Sequence, residues 1–82
     1  MPKSVQTNEY DQFRSLLREA RKGAGLSQME LAKKLGEPQS VVSKVERGER
    51  RLDVVEFLDF VEAIGADPIQ VLTLLLENRR KR

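Results

Sequence analysis

Residues 26–48 read LSQMELAKKLGEPQSVVSKVERG. Ser27 followed three residues later by Glu30 is the capping-box pattern, in which a hydroxyl and a carboxylate satisfy two otherwise unbonded backbone N–H groups at a helix start. Behind it, Met29, Leu31, Ala32 and Leu35 supply apolar residues to a short helix that Gly36 is placed to end. Pro38 suits the first position of the next helix, because it lacks the N–H that would be unbonded there. Val41, Val42 and Val45 are the apolar residues of that helix, and Gly48 is its stop. Helices this short cannot each hide an apolar face alone, so both must pack on other parts of the chain.

Those parts lie on either side. From Asn8, a candidate N-cap, apolar residues fall at Tyr10, Phe13, Leu16 or Leu17, Ala20 and Ala24 with helical spacing, and Gly23 and Gly25 close this first helix. After a polar, basic link, Glu49-Arg50-Arg51, Asp53 is a candidate cap for a fourth helix that reaches Ile64 before Gly65. Pro68 starts a fifth helix running to about Asn78. Alternating strand patterns and repeats are lacking. The expectation is an all-α fold of five helices, with residues 1–7 as a flexible N-terminal arm, 8–78 as the domain and 79–82 as a basic tail.

Composition narrows the chemistry. Eighty-two residues leave room for one stand-alone domain without a large cofactor cavity. The chain has no Cys and no His, which removes Ser-His-Asp and Cys-His catalysis, the common zinc constellations and a histidine pH switch. The longest apolar run is the three residues Leu74–Leu76, far short of the roughly 20 that span a bilayer, and Met1-Pro2-Lys3 opens no signal peptide. A soluble, cytoplasmic, non-enzymatic protein with no cofactor, metal or membrane partner is expected. Asp53, Glu56, Asp59 and Glu62 recur every three residues, but with no His beside them they read as a solvated helix face. Gly23-Ala24-Gly25 lacks the preceding strand of a nucleotide loop.

The net charge of +2 conceals a segregated distribution: −1 over residues 1–13, +5 over 14–51, −6 over 52–78 and +4 over 79–82. A basic middle and an acidic later part suit a domain that shows one face to a polyanion. A tight helical corner containing glycine is also the geometry in which the second of two helices enters the major groove of DNA.

The stretch from Leu26 to Gly48, with Gln28 opening its first helix, Leu31-Ala32 within it, Gly36 at the turn, Val42-Ser43 in the next helix and Glu46-Arg47-Gly48 closing it, resembles the phage-repressor (Cro/C1-type, XRE) helix-turn-helix family. Ile64-Gly65-Ala66-Asp67-Pro68 with Val71-Leu72 resembles the family's junction between fourth and fifth helices, and the resemblance covers roughly residues 10–76. The segment Ser43–Arg50 is similar to the restriction-modification controller subgroup. The resemblance implies a lambda-repressor-like DNA-binding domain with the helix-turn-helix at helices two and three.

It also implies roles for individual residues. Gln39, Ser40 and Lys44 are the expected base-reading positions; Gln can bond N6 and N7 of adenine together, while Ser is short and tolerant. Gln28 is expected to touch the DNA backbone and to brace Gln39. Ser43, Arg47, Arg50 and Arg51 are expected at phosphates, which suit the permanently charged guanidinium, and Arg14 and Arg18 at the fringe. Arg21 and Glu46 are expected to form a structural ion pair that ties helix three to the scaffold rather than touching bases.

Between Leu52 and Leu76, 16 of 25 residues are apolar, whereas a helix burying one face needs only about three in seven. Leu72 is expected in the core and Leu74, Leu75 and Leu76 at a surface for self-contact across a two-fold axis. Similar repressors dimerise in this region. The sequence thus points to a homodimeric, sequence-specific transcriptional regulator acting on double-stranded DNA with an inverted-repeat operator. The alternative is a protein-interaction module or antitoxin subunit on the same fold, with a protein partner and secondary DNA binding.

Overall fold

Capping chemistry divides the chain into five helices in the computed structural model, which describes residues 8–81. They are α1 (Asn8–Gly23), α2 (Gln28–Leu35), α3 (Gln39–Arg47), α4 (Val54–Ile64) and α5 (Pro68–Arg80). The capping box of α2 is complete: the Ser27 hydroxyl accepts from the Glu30 N–H at 3.0 Å and the Glu30 carboxylate accepts from the Ser27 N–H at 2.8 Å. Asp53 and Glu56 repeat the arrangement at the start of α4, at 2.8 and 3.0 Å. The Asp67 carboxylate caps α5 by accepting from the Ile69 N–H at 2.9 Å. Gly36 and Gly48 end α2 and α3 with φ of +71° and +80°, a left-handed turn that a Cβ would strain.

Two boundaries differ from the sequence reading. Pro38 stands one residue outside α3: its ring holds φ at −66°, but a ψ of 153° leaves it extended, so that it precedes the helix instead of opening it. Helix α5 runs on through Arg79 and Arg80, two residues expected in a tail beyond the domain, and Arg79 pairs with Glu9 of α1 at 2.8 Å. The proposed arm, residues 1–7, lies outside the described residues, as does the side chain of Asn8, where α1 begins.

The short helices are held as their length demands. α2 packs on α3 and α4, and α1 lies against α3, α4 and α5. Leu17 of α1, Leu31 of α2, Val42 and Val45 of α3 and Val61 of α4 are the most completely buried large side chains. Phe57, Phe60, Ile64 and Val71 extend this cluster, and Phe13 links Tyr10 to Phe57 by tilted ring contacts at 5.5 Å. The Tyr10 hydroxyl accepts from the Leu52 N–H at 3.3 Å, fastening the link between α3 and α4 to α1. Two residues expected to be apolar contacts do not serve as such: Met29 of α2 is 63% exposed, and Ala24 lies exposed beyond the end of α1. Among the described residues, no helix is long and apolar enough to cross a membrane.

Removing the Ser27 hydroxyl (Ser27→Ala) is expected to cost about 1 kcal/mol, read as a lower urea midpoint with unchanged slope. Hydrogen bonds from Ser27 hold the Glu30 carboxyl below its ordinary value. Its contribution to stability is therefore complete above the ordinary carboxylate range and is lost as pH falls through the lowered value. Glu30→Gln should flatten this part of the stability–pH curve.

Candidate nucleic-acid interface

Arg14 and Arg21 are seven residues apart on α1, two helical turns, and so share a face. Both reach Glu46 in the last turn of α3. The Arg21 guanidinium grips the Glu46 carboxylate through two nitrogens, at 2.6 and 3.0 Å, and donates a further bond to the Leu26 carbonyl at 2.7 Å. The two side chains are only 8% and 6% exposed. Arg14 donates to the main-chain carbonyl of Glu46 and pairs with Asp11 at 2.6 Å. It thereby satisfies one of the carbonyls left over at the helix C-terminus. Arg14, expected at the fringe of DNA, braces α3 within the chain.

From Glu46 the polar chain runs outward. Gln28 Nε2 donates to Glu46 Oε1 at 2.9 Å, and Gln28 Oε1 accepts from Gln39 Nε2 at 3.4 Å. Arg21, Glu46, Gln28 and Gln39 therefore form one line of contacts from the interior to the first turn of α3. Along α3, Val42 and Val45 are wholly buried, so the opposite edge must face solvent: Gln39, Ser40 and Lys44 are exposed and Ser43 is half-buried.

The cations at the end of α3 and just after it have partners within the chain. Arg47 pairs with Glu49 through two bonds of 3.0 and 3.1 Å and donates to the Ser43 hydroxyl at 2.5 Å. This pairing raises the Arg47 pKa and holds the Glu49 carboxyl below its usual range. Arg50 pairs with Glu56 at 2.8 Å, and the Arg51 guanidinium lies 4.2 Å above the Tyr10 ring, a cation–π contact. Arg18 is exposed on α1. Sequence reasoning did not identify Asp11, Tyr10 and Glu49 as partners. Asp11, three residues before Arg14, was the most accessible of these from helical spacing, whereas Tyr10 and Arg51 meet only through tertiary packing.

The apolar residues of α5 are distributed differently from expectation. Val71 is buried, which turns Leu72, one residue on, outward to 47% exposure. Leu75, four residues after Val71, is half-buried. Leu74 lies beside Leu16 and Ala20 of α1, and Leu76 is exposed.

A helix-turn-helix family model matches residues 17–70. An XRE-family like protein from Pseudomonas syringae pv. tomato str. DC3000 is 54% identical to the chain and superposes with a TM-score of 0.81 over 84% of each chain. The chain belongs to the XRE-like helix-turn-helix family. The restriction-modification controller protein C.AhdI from Aeromonas hydrophila is 35% identical over 79% of this chain and 98% of its own, with a TM-score of 0.71. The clp gene regulator ClgR from C. glutamicum, 22% identical over 89% and 95%, shares the fold with a TM-score of 0.77. Among curated proteins there is no match. In family terms α2 and α3 are the helix-turn-helix, and α3 is its second helix.

Splitting the buried pair tests the brace. Glu46→Ala should destabilise by about 3–5 kcal/mol, since it strands a buried guanidinium, whereas Arg21→Met combined with Glu46→Leu should recover most of that loss. Urea unfolding of the two variants and the parent chain measures both.

Proposed function

We propose that this XRE-like chain is a sequence-specific DNA-binding transcription regulator that acts as a homodimer on an inverted-repeat operator. The observation that carries the reading is the outward edge of α3: Gln39, Ser40 and Lys44 stand exposed on a helix whose other side is anchored by Val42, Val45 and Glu46. A helix presented in this way offers its first-turn side chains to base edges in the major groove. Gln39 reads a base and Gln28, in contact with it, orients its amide. Ser40 and Lys44 complete the reading edge. Ser43, Arg47, Arg50 and Arg51 hold the phosphates, with Arg47 exchanging Glu49 for a phosphate oxygen when DNA arrives.

The homodimer reading rests on α5. Ile69, Leu72 and Leu76 are 69%, 47% and 43% exposed and, at three- and four-residue spacing, share one face. Val54, Val55 and Leu58 add exposed apolar surface on α4, which packs against α5. The exposure of Leu76 and Leu72 supports this surface, and Leu74 lies beside α1. A two-fold axis here sets two α3 helices against successive major grooves, about 34 Å apart. The 35% identity to a restriction-modification controller protein supports a regulatory role of the same kind.

Electrophoretic mobility shift with genomic fragments at two salt concentrations tests the reading. Fragment-selective binding is expected, with a log–log salt slope of about −5 to −7 if each subunit neutralises roughly three or four phosphates. Gln39→Ala should cost about 1–3 kcal/mol and relax choice at one base pair. Arg47→Ala should weaken all sequences alike and reduce the slope by about one. An absence of DNA binding at micromolar protein would favour the protein-interaction module instead.

A further inference from the structure

Gly48 fixes more than the end of α3. With its φ at +80° the chain turns back, and the Glu49 N–H donates to the Lys44 carbonyl at 2.8 Å. The residue after the glycine is thereby set beside Arg47, the last residue of α3. Their contact is two-pronged: Arg47 Nε donates to Glu49 Oε2 at 3.0 Å and Arg47 Nη2 donates to Glu49 Oε1 at 3.1 Å. Nη1 donates to the Ser43 hydroxyl at 2.5 Å, so each nitrogen of this guanidinium is engaged within the chain. Arg50 and Arg51 are held more loosely: Arg50 gives one nitrogen to Glu56, and Arg51 lies over a ring.

A carboxylate and a phosphate offer a guanidinium the same thing, two oxygens that match a pair of parallel N–H groups. Glu49 therefore stands where a phosphate has to sit to bind that edge of Arg47, and the two cannot hold it together. The other carboxylates nearby have structural duties, since Glu30 and Glu56 complete capping boxes and Glu46 is buried against Arg21. Glu49 is 55% exposed and spends its charge on Arg47, among the cations Lys44, Arg47, Arg50 and Arg51.

We propose that Glu49 is an affinity-setting residue, a competitor built into the chain that holds Arg47 until a phosphate displaces it and so weakens binding to every DNA sequence by the same factor. The inference rests on the DNA-binding reading above and adds to it a residue that opposes binding. Phosphate contacts carry no sequence information, so the weakening falls alike on an operator and on bulk DNA. Sequence choice stays with the outward edge of α3. Retention on bulk DNA, for which cation–phosphate contacts supply essentially all of the affinity, is what Glu49 lowers. The factor is small, about two- to fivefold, because the pair is exposed and lies in high dielectric.

Fluorescence anisotropy titrations of the full chain against two labelled duplexes, a fragment selected by mobility shift and one of scrambled sequence, test the proposal. Glu49→Gln removes the charge and keeps the shape, and should tighten binding to both duplexes by about two- to fivefold at low salt. Repeating the substitution in the Arg47→Ala background separates local competition from charge at large. With no guanidinium to hold, the gain in log affinity should fall by at least half. Circular dichroism should show unchanged helix content in each variant. Unchanged or weaker binding by Glu49→Gln overturns the competition and makes Glu49 a residue that positions Arg47 for DNA. A gain reduced by less than half in the Arg47→Ala background assigns it to charge at large, and the proposal falls. A gain confined to one duplex refutes the sequence-blind role. If the parent chain binds no duplex at micromolar concentration, the DNA-binding reading fails and takes this inference with it.

Discussion

A carboxylate that is 94% covered must be paired, and here Glu46 is met by Arg21 through two bonds while its own carbonyl is held by Arg14. Taking both charges out of water offsets much of their attraction, so the pair contributes less to net stability than to geometry; breaking it is what is costly. The geometric consequence is specific. Val42 and Val45 set which side of α3 turns inward, but apolar contacts tolerate small slides and rotations. The two-pronged guanidinium–carboxylate contact does not, since its bonds depend on direction as well as distance. A nine-residue helix thereby acquires a defined position on α1 that its own backbone bonds cannot supply.

That position is transmitted to the surface through Gln28, which bonds Glu46 with one end of its amide and Gln39 with the other. The side chain proposed to read a base is therefore partly pre-oriented before any ligand arrives, and less conformational entropy is lost when it binds. The cations around α3 follow a second pattern. Arg47 and Arg50 rest on Glu49 and Glu56 in exposed or half-exposed contacts that are weak in high dielectric, and Arg51 rests on the Tyr10 ring. Strong, buried pairing holds the scaffold, while weak, exposed pairing occupies the cations proposed to hold phosphates.

The acidic later part of the chain also has more than one use. Asp53 and Glu56 complete a capping box and Glu56 additionally receives Arg50, so these carboxylates are structural as well as solvated. Asp59 and Glu62 are exposed on the same helix. The apolar surplus divides likewise between a core reaching Val71 and an outward stripe starting at Ile69, a division that only the helical phase of α5 decides.

Local chemistry wrote the five helices legibly into the chain. Ser27 with Glu30, Asp53, and the glycines at 36, 48 and 65 act within three or four residues of themselves, and such signals operate whatever surrounds them. The family pattern made the Arg21–Glu46 pair and the outward Gln39–Ser40 edge expected as well. What required the tertiary structure was every feature fixed by azimuth or by distant neighbours. Leu72, expected in the core, is exposed because one buried contact, at Val71, sets the rotation of α5, and a run of similar leucines carries no mark of which one faces inward. Arg14 looked like any exposed cation until the end of α3 was brought against it, and Arg51 found Tyr10 only because α1 and the link after α3 are packed together. Sequence spacing thus determined the elements and their caps, through forces that act over a single turn. Tertiary structure decided which side chains remain available to a partner, because burial and long-range pairing depend on how the helices meet.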